Sequence, residues 1–361
     1  MEKILILAQQ LEAGGIEKSI ISLANVLAGN NFQVSIVTLL KSTPIAIIDE
    51  KVRLKTLTPF ISDKNKKHSY LYRFFRKMIS FSFLILFLLK QKEETIISSR
   101  NEYSVLLSKF GHKSIKKIAQ LHHDYVNQPK LIHDFRFSYK KIDFFVQVCD
   151  QLTFEIRDIM KGYNNNTSII TIPNIVEKKT NEKNEKFNIA VSVGRFSPEK
   201  DFTKLLEIWG KIIKIQNNWK LVLVGDGPER EKITNKIKEL GIEKNVELPG
   251  FVPNQRVLEI LAKASLFMMT SKTESFGIVL VEAMKNYIPV VAFDVRVGPR
   301  SIITDGVNGY LIENLNDDMY VTKVLNIINN KALREEMGNN AYESSKKYSE
   351  EEILKLWKKI L

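Results

Sequence analysis

The chain has 361 residues, of which 44% are apolar and 26% charged, a composition typical of a globular protein with room for two domains. Its single cysteine, Cys149, excludes an internal disulfide framework, and the N-terminus shows no signal-peptide pattern, so we expect a reducing, cytoplasmic location. The formal net charge of +13 is concentrated in the first half of the chain, which indicates a surface that attracts anions there.

Short β-branched runs alternate with longer amphipathic stretches along the chain, a pattern that predicts strand–helix units around parallel sheets. The pattern occurs twice, which predicts two doubly wound α/β domains. In the first half the clearest predicted helix is 16–29. The predicted strands of that half are 3–8, 33–39, 95–99, 116–121, 144–148 and 168–172.

A basic block at 51–90 contains ten Lys or Arg residues and a single acid. It runs into the apolar segment 78–89, which is too short to span a bilayer. Two interpretations stay open: 64–90 lies on an anionic membrane surface, or 78–89 forms a buried core helix with a solvated basic lead-in. No nucleic-acid-binding motif accompanies the charge, so no nucleic-acid partner is expected. The residues expected to contact the membrane are Arg73, Arg76 and Lys77.

A wholly polar segment, 177–186, follows the first half and is predicted to be a surface linker. The N-terminal domain is therefore predicted at 1–176 and the C-terminal domain at 187–345. The amphipathic segment 346–361 is predicted to be a C-terminal helix that can pack back on the N-terminal domain. The predicted strands of the C-terminal domain are 187–194, 220–225, 245–250, 265–270, 288–293 and 309–312.

Two motifs follow predicted strands, the place where open parallel sheets bind ligands. Gly14 and Gly15 open a helix after the strand at 3–8, where bare backbone amides suit an anionic group, although a plain helix-entry loop is an equal alternative. Arg195 and Lys200 follow the first strand of the second domain. They can close on a diphosphate from two sides, or they are two surface charges.

The stretch 270–284, TSKTESFGIVLVEAM, places Glu274 in a loop beyond a strand and Glu282 inside the following apolar helix. Glu274 can reach hydroxyl groups of a ligand, while Phe276 and Gly277 present backbone amides near the helix N-terminus. A carboxylate in an apolar run costs free energy unless it is paired, so Glu282 is expected to accept from vicinal hydroxyls such as those of a sugar. The alternative is that Glu274 caps its own helix and Glu282 bonds backbone or a neighbouring cation.

The segment ESFGIVLVEAM resembles the E-x7-E signature of retaining nucleotide-sugar glycosyltransferases with the GT-B fold, and most resembles glycosyltransferase family 4. Other hallmarks of that family stand in the same order along the chain, namely GGIEKS, IPNIV, VGRFSPEKDF, LVLVGDGPE, LPGFV and DGVNGYLI. The resemblance covers nearly the whole chain and is strongest over 172–312. It implies two Rossmann-like, doubly wound α/β domains that face each other across a cleft.

The resemblance also implies roles for residues of the second domain. Arg195 and Lys200 would clamp the donor diphosphate and offset charge on the departing nucleotide. Glu274 would bind donor-sugar hydroxyls, and Glu282 would bind the nucleotide ribose. The full set of implied donor-binding residues is Gly15, Arg195, Lys200, Gly250, Phe251, Val252, Glu274, Phe276, Gly277, Ile278 and Glu282.

In the first domain the resemblance implies roles for a glycine and a histidine. Gly15 would approach the donor phosphate and the acceptor. His122, or its neighbour His123, matches the histidine that lies in the cleft of the family. The residues implied to be catalytic are Glu274, His122, Arg195 and Lys200.

The activity implied by the resemblance is transfer of a sugar from a nucleoside diphosphate sugar, expected to be UDP-linked, to an acceptor hydroxyl with retention at the anomeric carbon. We expect no metal and no cofactor beyond the donor substrate. The expected acceptor is a glycan or a lipid-linked precursor, met at the inner face of the cell membrane. A non-catalytic partner subunit of the same fold is one alternative, and an acceptor-independent nucleotide-sugar epimerase is another.

Overall fold

The computed structural model describes residues 1–12, 14–62, 70–92, 94–122, 125, 128–176 and 185–361. Of the predicted linker only 185–186 is described, and both His123 and 64–69 lie outside the described residues. The chain divides into two compact units. The first unit comprises Met1–Ile175 together with Glu350–Leu361, and the second comprises Val176–Ser349.

The described residues form thirteen strands. All twelve predicted strands match observed strands to within two residues at each end, and the strand predicted at 187–194 is the shorter β8. The strands are β1 (Lys3–Ala8), β2 (Gln33–Lys41), β3 (Arg53–Ser62), β4 (Thr95–Ser98), β5 (Lys116–Gln120), β6 (Phe144–Gln147), β7 (Ser168–Thr171), β8 (Ile189–Val193), β9 (Lys220–Val224), β10 (Val246–Gly250), β11 (Leu266–Met269), β12 (Val290–Asp294) and β13 (Gly309–Glu313).

Helices connect these strands, and the helix predicted at 16–29 is α1. A short π-helical turn, Asp134–Ser138, continues α4, and 3₁₀ turns occur at Glu243–Asn245 and Lys346–Tyr348. The α-helices are α1 (Gly15–Gly29), α2 (Tyr70–Lys90), α3 (Asn101–Phe110), α4 (Pro129–His133), α5 (Asp150–Met160), α6 (Phe202–Ile213), α7 (Arg230–Leu240), α8 (Asn254–Lys263), α9 (Ile278–Met284), α10 (Pro299–Ile302), α11 (Asp317–Asn329), α12 (Lys331–Ser345) and α13 (Glu350–Trp357).

Each unit contains one sheet in which all paired strands are parallel. The first sheet has the order β3-β2-β1-β4-β5-β6-β7, and the second has the order β10-β9-β8-β11-β12-β13. In both sheets the earliest strand is central and the order reverses beside it, as in doubly wound α/β folds. The prediction of two doubly wound α/β domains is therefore confirmed.

The C-terminal helix α13 belongs to the core of the first unit. Its apolar residues Ile353 and Trp357 recur one helical turn apart, and both are buried in the same cluster as residues of β1 and α1 such as Ile6 and Leu27. The Lys116 side chain at the start of β5 donates a hydrogen bond to the carbonyl group of the last residue. The first sheet is thus covered in part by a helix far away in sequence.

One strand, β3, is absent from the sequence-based prediction. It lies at the outer edge of the first sheet, where its Arg53, Leu54 and Lys55 side chains are all exposed. It also contains Pro59, which lacks the backbone N–H that a central strand needs and is therefore tolerated at an edge. An edge strand of this kind has neither the apolar run nor the alternation on which the prediction relied.

The long helix α2 buries only a narrow face. Leu84 and Leu88 are fully buried, whereas Phe75, Met78 and Leu86 are 54–58% exposed. The interpretation of this apolar segment as a buried core helix is therefore wrong, because most of its large side chains remain in contact with solvent. Among the described helices none is both long enough and apolar enough to cross a membrane.

Candidate functional site

The strand order of the second sheet reverses at β8, which lies between β9 and β11. Connections that leave two such strands at their carboxyl ends run to opposite faces of the sheet, which opens a crevice between them. Arg195 and Lys200 lie in the loop after β8, and Glu274 lies in the loop after β11. The structure therefore places three of the predicted site residues at the switch point of one sheet.

Lys200 and Glu274 form an ion pair at this switch point, in which Lys200 Nζ donates to Glu274 Oε1. The Ser271 hydroxyl donates to the same carboxylate oxygen at 3.2 Å. The Glu274 side chain is 10% exposed and that of Lys200 24%, so solvent screens this pair less than it screens a surface pair. The two residues are 74 positions apart in the sequence, and it is the fold that brings them together.

Further hydrogen bonds hold the two loops against each other. The Lys272 amide donates to the Glu199 carbonyl at 2.8 Å, and the Thr270 hydroxyl donates to the Asp201 carbonyl at 3.0 Å. The Lys272 ammonium lies 3.0 Å from the Asp201 carboxylate. Asp201 has a φ of 48°, in the left-handed region that Asp tolerates better than most residues. These contacts fix the backbone on either side of the ion pair.

Arg195 is exposed and forms no ion pair within 4 Å with any residue that the structure describes. The same loop contains Glu199, which accepts a hydrogen bond from the Ser197 hydroxyl at 2.6 Å. Partial burial opposes ionisation of Glu199, but the Ser197 hydroxyl, its own backbone amide, Lys200 and Arg195 together lower its pKa. Glu199 is therefore charged at neutral pH, and the Arg195 guanidinium remains available to an anionic ligand.

Two glycines with positive φ lie in the loops around Glu274. Gly277 has a φ of 94° and stands at the N-cap of α9, where no side chain caps the helix. The Glu274 carboxylate accepts from the Lys200 and Ser271 side chains, and among the described residues it accepts from no backbone amide of α9, so the alternative in which Glu274 caps its own helix is wrong. Gly298, with a φ of 89°, lies after β12, and a Cβ there would come within 2.8 Å of Glu274 Cβ and 3.1 Å of the Phe276 carbonyl oxygen. Any larger residue at 298 would displace the acid.

The remaining predicted residues of this loop cluster at the start of α9. Phe276 is buried, and its ring packs edge to face against Tyr348 at a centroid distance of 5.4 Å. Ile278, the first residue of α9, is half-buried. Glu282 is 5% exposed, and the Asn286 side chain donates to its backbone carbonyl at 2.8 Å. The structure thus buries the second glutamate of the motif inside the unit, at the fifth residue of α9 and directly after its first turn.

The predicted residues at the end of β10 reach the same edge of the sheet, two strands away from β8. The Gly225 amide after β9 donates to the Gly250 carbonyl at 3.0 Å, and a Cβ on Gly225 would lie 1.8 Å from the Gly194 carbonyl oxygen. These glycines are needed because the loops after β8, β9 and β10 touch through their backbones. Phe251 is 69% exposed, and Val252 is half-buried.

The predicted residues of the first unit also lie beyond the carboxyl ends of strands. Gly14 has a φ of 136° and precedes Gly15, the exposed first residue of α1. A Cβ on Gly14 would lie 2.5 Å from a carboxylate oxygen of Glu17. Burial raises the pKa of Glu17, against the lowering effects of its own amide and of Arg100. His122 follows β5 and is 8% exposed.

Sequence reasoning did not single out several residues that shape this site. Ser271 and Lys272 lie within the stretch 270–284. Ser271 contacts Glu274 of the same loop and Lys272 contacts Asp201 of another loop, and the sequence pattern predicts neither contact. Gly298 stands in a Gly-Pro pair, which marks a turn but not its contact with Glu274. The described residues contain no cluster of three or more His, Cys, Asp or Glu residues that could hold a metal ion.

Comparison with known proteins finds relatives among glycosyltransferases. Residues 174–344 match the family model of glycosyl transferases group 1. The amylovoran biosynthesis glycosyltransferase AmsD of Erwinia amylovora is 27% identical over 379 aligned positions, which cover 100% of both chains. A poly(ribitol-phosphate) alpha-N-acetylglucosaminyltransferase of Staphylococcus aureus is 35% identical over 192 positions, which cover 53% of this chain and 38% of that relative.

Among solved structures, a mutant of TarM from S. aureus, in complex with fondaparinux, alpha-GlcNAc-glycerol and UDP, aligns with a TM-score of 0.83. The alignment covers 100% of this chain and 99% of TarM at 20% sequence identity, so it bears on the fold alone. The fold it supports is GT-B, the fold class expected from the sequence.

Proposed function

We propose that this chain, for which the comparisons support a glycosyltransferase with the GT-B fold, moves a sugar from a nucleoside diphosphate sugar to an acceptor hydroxyl with retention at the anomeric carbon. The observation that carries the proposal is the Lys200–Glu274 ion pair at the switch point of the second sheet, with Arg195 in the same loop as Lys200. Two cations at this edge suit a diphosphate, and the carboxylate beside them suits the hydroxyls of the attached sugar.

In the proposed reaction the acceptor oxygen attacks the anomeric carbon from the face that the diphosphate leaves. The acceptor proton passes to the departing phosphate oxygen, so no protein nucleophile is needed. Arg195 and Lys200 stabilise the negative charge on the departing nucleoside diphosphate, and no metal ion is assigned a part. The Lys200 ammonium has three N–H donors, so it can hold Glu274 and a phosphate oxygen at once. Glu274 orients the sugar through its hydroxyl groups.

The other predicted residues take complementary parts in this proposal. Glu282 binds the nucleotide ribose, 276–278 follow the sugar and phosphates through backbone amides, and 250–252 flank the base. In the first unit Gly15 approaches the donor phosphate, and His122 acts on the acceptor side. The donor is proposed to be UDP-linked, and no cofactor beyond it is required.

The proposed acceptor is a glycan or lipid-linked precursor of a cell-surface polymer. Support comes from two relatives, one named for amylovoran biosynthesis and one named for transfer to poly(ribitol phosphate). Acceptor choice depends on loops rather than on the fold, so the relatives narrow the class of acceptor without naming the sugar that is transferred.

Turnover by the isolated protein tests this function. Purified protein is incubated with UDP-glucose, UDP-galactose or UDP-N-acetylglucosamine, with and without a polyol-phosphate or glycan acceptor, and UDP release is measured. We expect release that depends on the acceptor, and an α-linked product by proton NMR from an α-linked donor. UDP binding without turnover would indicate a non-catalytic partner subunit, and conversion of the donor without acceptor would indicate an epimerase. Inversion at the anomeric carbon would overturn the proposed stereochemistry.

The exposed apolar face of α2 supports a position on an anionic lipid surface. Phe75, Met78 and Leu86 lie on that face, while Arg76 and Lys77 supply positive charge on the same helix. Arg73 is also part of α2, but its side chain lies outside what the structure describes. An amphipathic helix with apolar and basic residues lies in the headgroup region, where both kinds of side chain are satisfied. We therefore propose that this protein is peripheral to the cell membrane, on its inner face.

Vesicle sedimentation tests this location. The triple variant Phe75→Ser, Met78→Ser, Leu86→Ser should bind phosphatidylglycerol vesicles roughly tenfold or more weakly, because each side chain loses apolar burial in the lipid. The control is Ile215→Ser, which removes a 63% exposed apolar side chain from the second unit and should leave binding unchanged. Wild-type binding retained by the triple variant would remove α2 from the membrane contact.

A further inference from the structure

A pocket of about 250 Å³ lies in the first unit, where Gln9 follows β1 and where Leu39 and Leu40 belong to the last residues of β2. Residues of α2 and of the start of α3 line its other sides, so it stands near the point where the first sheet reverses between β1 and β4. Ligands collect at such points in open parallel sheets. The volume lies just below the roughly 300–1,000 Å³ of typical small-molecule sites, which favours a small group over a whole nucleotide.

The charges around this pocket are predominantly positive. Arg76 and Lys77 approach it from α2, and Arg100 approaches it from the N-cap of α3, against a single acid, Glu102. Within the described part of the chain, neither Arg100 nor Lys77 forms an ion pair within 4 Å. The Lys77 ammonium instead lies 5.3 Å from the Phe81 ring centroid. A pocket with several cations and one acid suits an anion.

A buried hydroxyl in the wall gives an independent indication of a ligand. Ser80 is 4% exposed and lines the pocket, and its Oγ has no hydrogen-bond partner among the residues that the structure describes. A serine inside a helix ordinarily bonds the carbonyl one turn earlier, which here would be that of Arg76. An unsatisfied buried hydroxyl costs free energy, and a hydrogen bond to a ligand oxygen would remove that cost.

A second hydroxyl in the pocket stays protonated. Burial raises the pKa of Tyr103, against the lowering effect of the Arg100 charge. The Tyr103 hydroxyl, on the pocket wall, therefore remains a potential donor at any physiological pH. Neutral hydroxyl donors beside guanidinium and ammonium groups are the combination that phosphate oxygens accept from.

We propose that this pocket binds a phosphate ester, held by Arg100 and Lys77 and by the Ser80 hydroxyl. If the phosphate belongs to the acceptor, this inference rests on the proposed function, and the acceptor is a polyol phosphate or a sugar phosphate. The same chemistry is present in a lipid headgroup, and α2, which supplies part of the pocket wall, also carries the exposed apolar face.

The test measures binding of glycerol 3-phosphate by isothermal titration calorimetry, in the presence of saturating UDP so that the proposed donor site is occupied. Glycerol is the neutral control ligand. Arg100→Gln should weaken binding roughly tenfold or more, since hydrogen bonds to charged groups are worth more than neutral ones, and Ser80→Ala should weaken it severalfold. Lys90→Gln, at the exposed end of α2, is the matched charge control and should bind as wild type does.

Two further arms separate the outcomes. The first arm is sedimentation of Arg100→Gln with phosphatidylglycerol vesicles. Weaker vesicle binding would identify a lipid headgroup as the source of the phosphate. Unchanged vesicle binding with weaker binding of glycerol 3-phosphate would identify the acceptor as the source. Equal affinity of wild type and Arg100→Gln in both arms overturns the proposal. Circular dichroism melts confirm that each variant is folded. If the wild-type protein binds glycerol 3-phosphate but does not turn over any UDP-sugar, the proposed function is wrong and the proposed phosphate site remains supported.

Discussion

Replacing Lys200 with Met is expected to lower kcat/KM for sugar transfer by about 10²–10³-fold, the loss typical when one preorganised donor is removed from a developing negative charge. Two effects act in the same direction. The departing diphosphate loses a cation, and Glu274 loses its partner at a position where its side chain is only 10% exposed. The measurement is steady-state UDP release with the acceptor in excess, together with the Kd of UDP from calorimetry.

Lys272→Met is the matched control for this prediction. Lys272 belongs to the same pair of loops and also pairs with an acid, at 3.0 Å from Asp201, but its side chain is 58% exposed. Exposed ion pairs of this kind contribute about 0–1 kcal/mol to stability, so the activity of Lys272→Met should stay within a few-fold of wild type. Equal losses in the two variants would mean that the charges act through loop stability. An unchanged rate in Lys200→Met would remove the residue from the proposed mechanism.

The second large effect is on stability. Trp357→Ala is expected to lower the free energy of unfolding of the first unit by about 3–5 kcal/mol, the usual cost of deleting a fully buried large aromatic side chain. Trp357 is 1% exposed and lies in the cluster that joins α13 to β1 and α1. Urea denaturation followed by circular dichroism gives the change, and hydrogen exchange of β1 and β2 shows which unit is affected.

Lys358→Ala supplies the control. The Lys358 side chain, next to Trp357 in the sequence, is exposed, so its removal should change the free energy of unfolding by no more than about 0.5 kcal/mol. If Trp357→Ala increases hydrogen exchange relative to wild type more in β8 and β9 than in β1 and β2, the assignment of α13 to the first unit is contradicted. An unfolding free energy within about 1 kcal/mol of wild type would show that the cavity collapses at little cost.

The strands of the two sheets could be predicted from the sequence because most of them are fully buried. Runs such as KILILA and KLVLV are apolar on both faces, as strands covered by helices must be, and β1 was predicted to the residue. The edge strand β3 lacks that signal, since exposed charged residues and Pro59 contribute nothing to an apolar run. The other strands were predictable because burial on both faces gives them continuous apolar, β-branched runs.

The site was only partly predictable. Sequence pattern placed Arg195, Lys200 and Glu274 after strands, which sufficed to put them at the carboxyl edge of a sheet. Their pairing depends on β8 and β11 being neighbours, and strand order is a property of the whole sheet that no local pattern carries. The approach of Gly298 to Glu274 likewise depends on the packing of two loops that are separate in sequence.

The burial of α2 could not be predicted from the sequence for a different reason. The composition of α2 is compatible with a core helix and with a surface helix, and hydrophobic residues on every face gave no means of choosing. Only the placement of Ser80, Leu84 and Leu88 against the unit, with Phe75 and Leu86 left outside, distinguishes the two. Burial of one narrow face was therefore not predictable from composition.

The three tryptophans of the chain are divided between the units, and this gives each unit its own optical signal. Trp209 and Trp219 are buried in the second unit, whereas Trp357 is buried in the first. The Arg334 guanidinium lies 5.4 Å from the Trp219 ring, which makes the emission of the second unit sensitive to that contact. In a protein that lacks Trp357, tryptophan fluorescence would follow unfolding of the second unit alone, so the order in which the two units lose structure can be measured without attaching a dye.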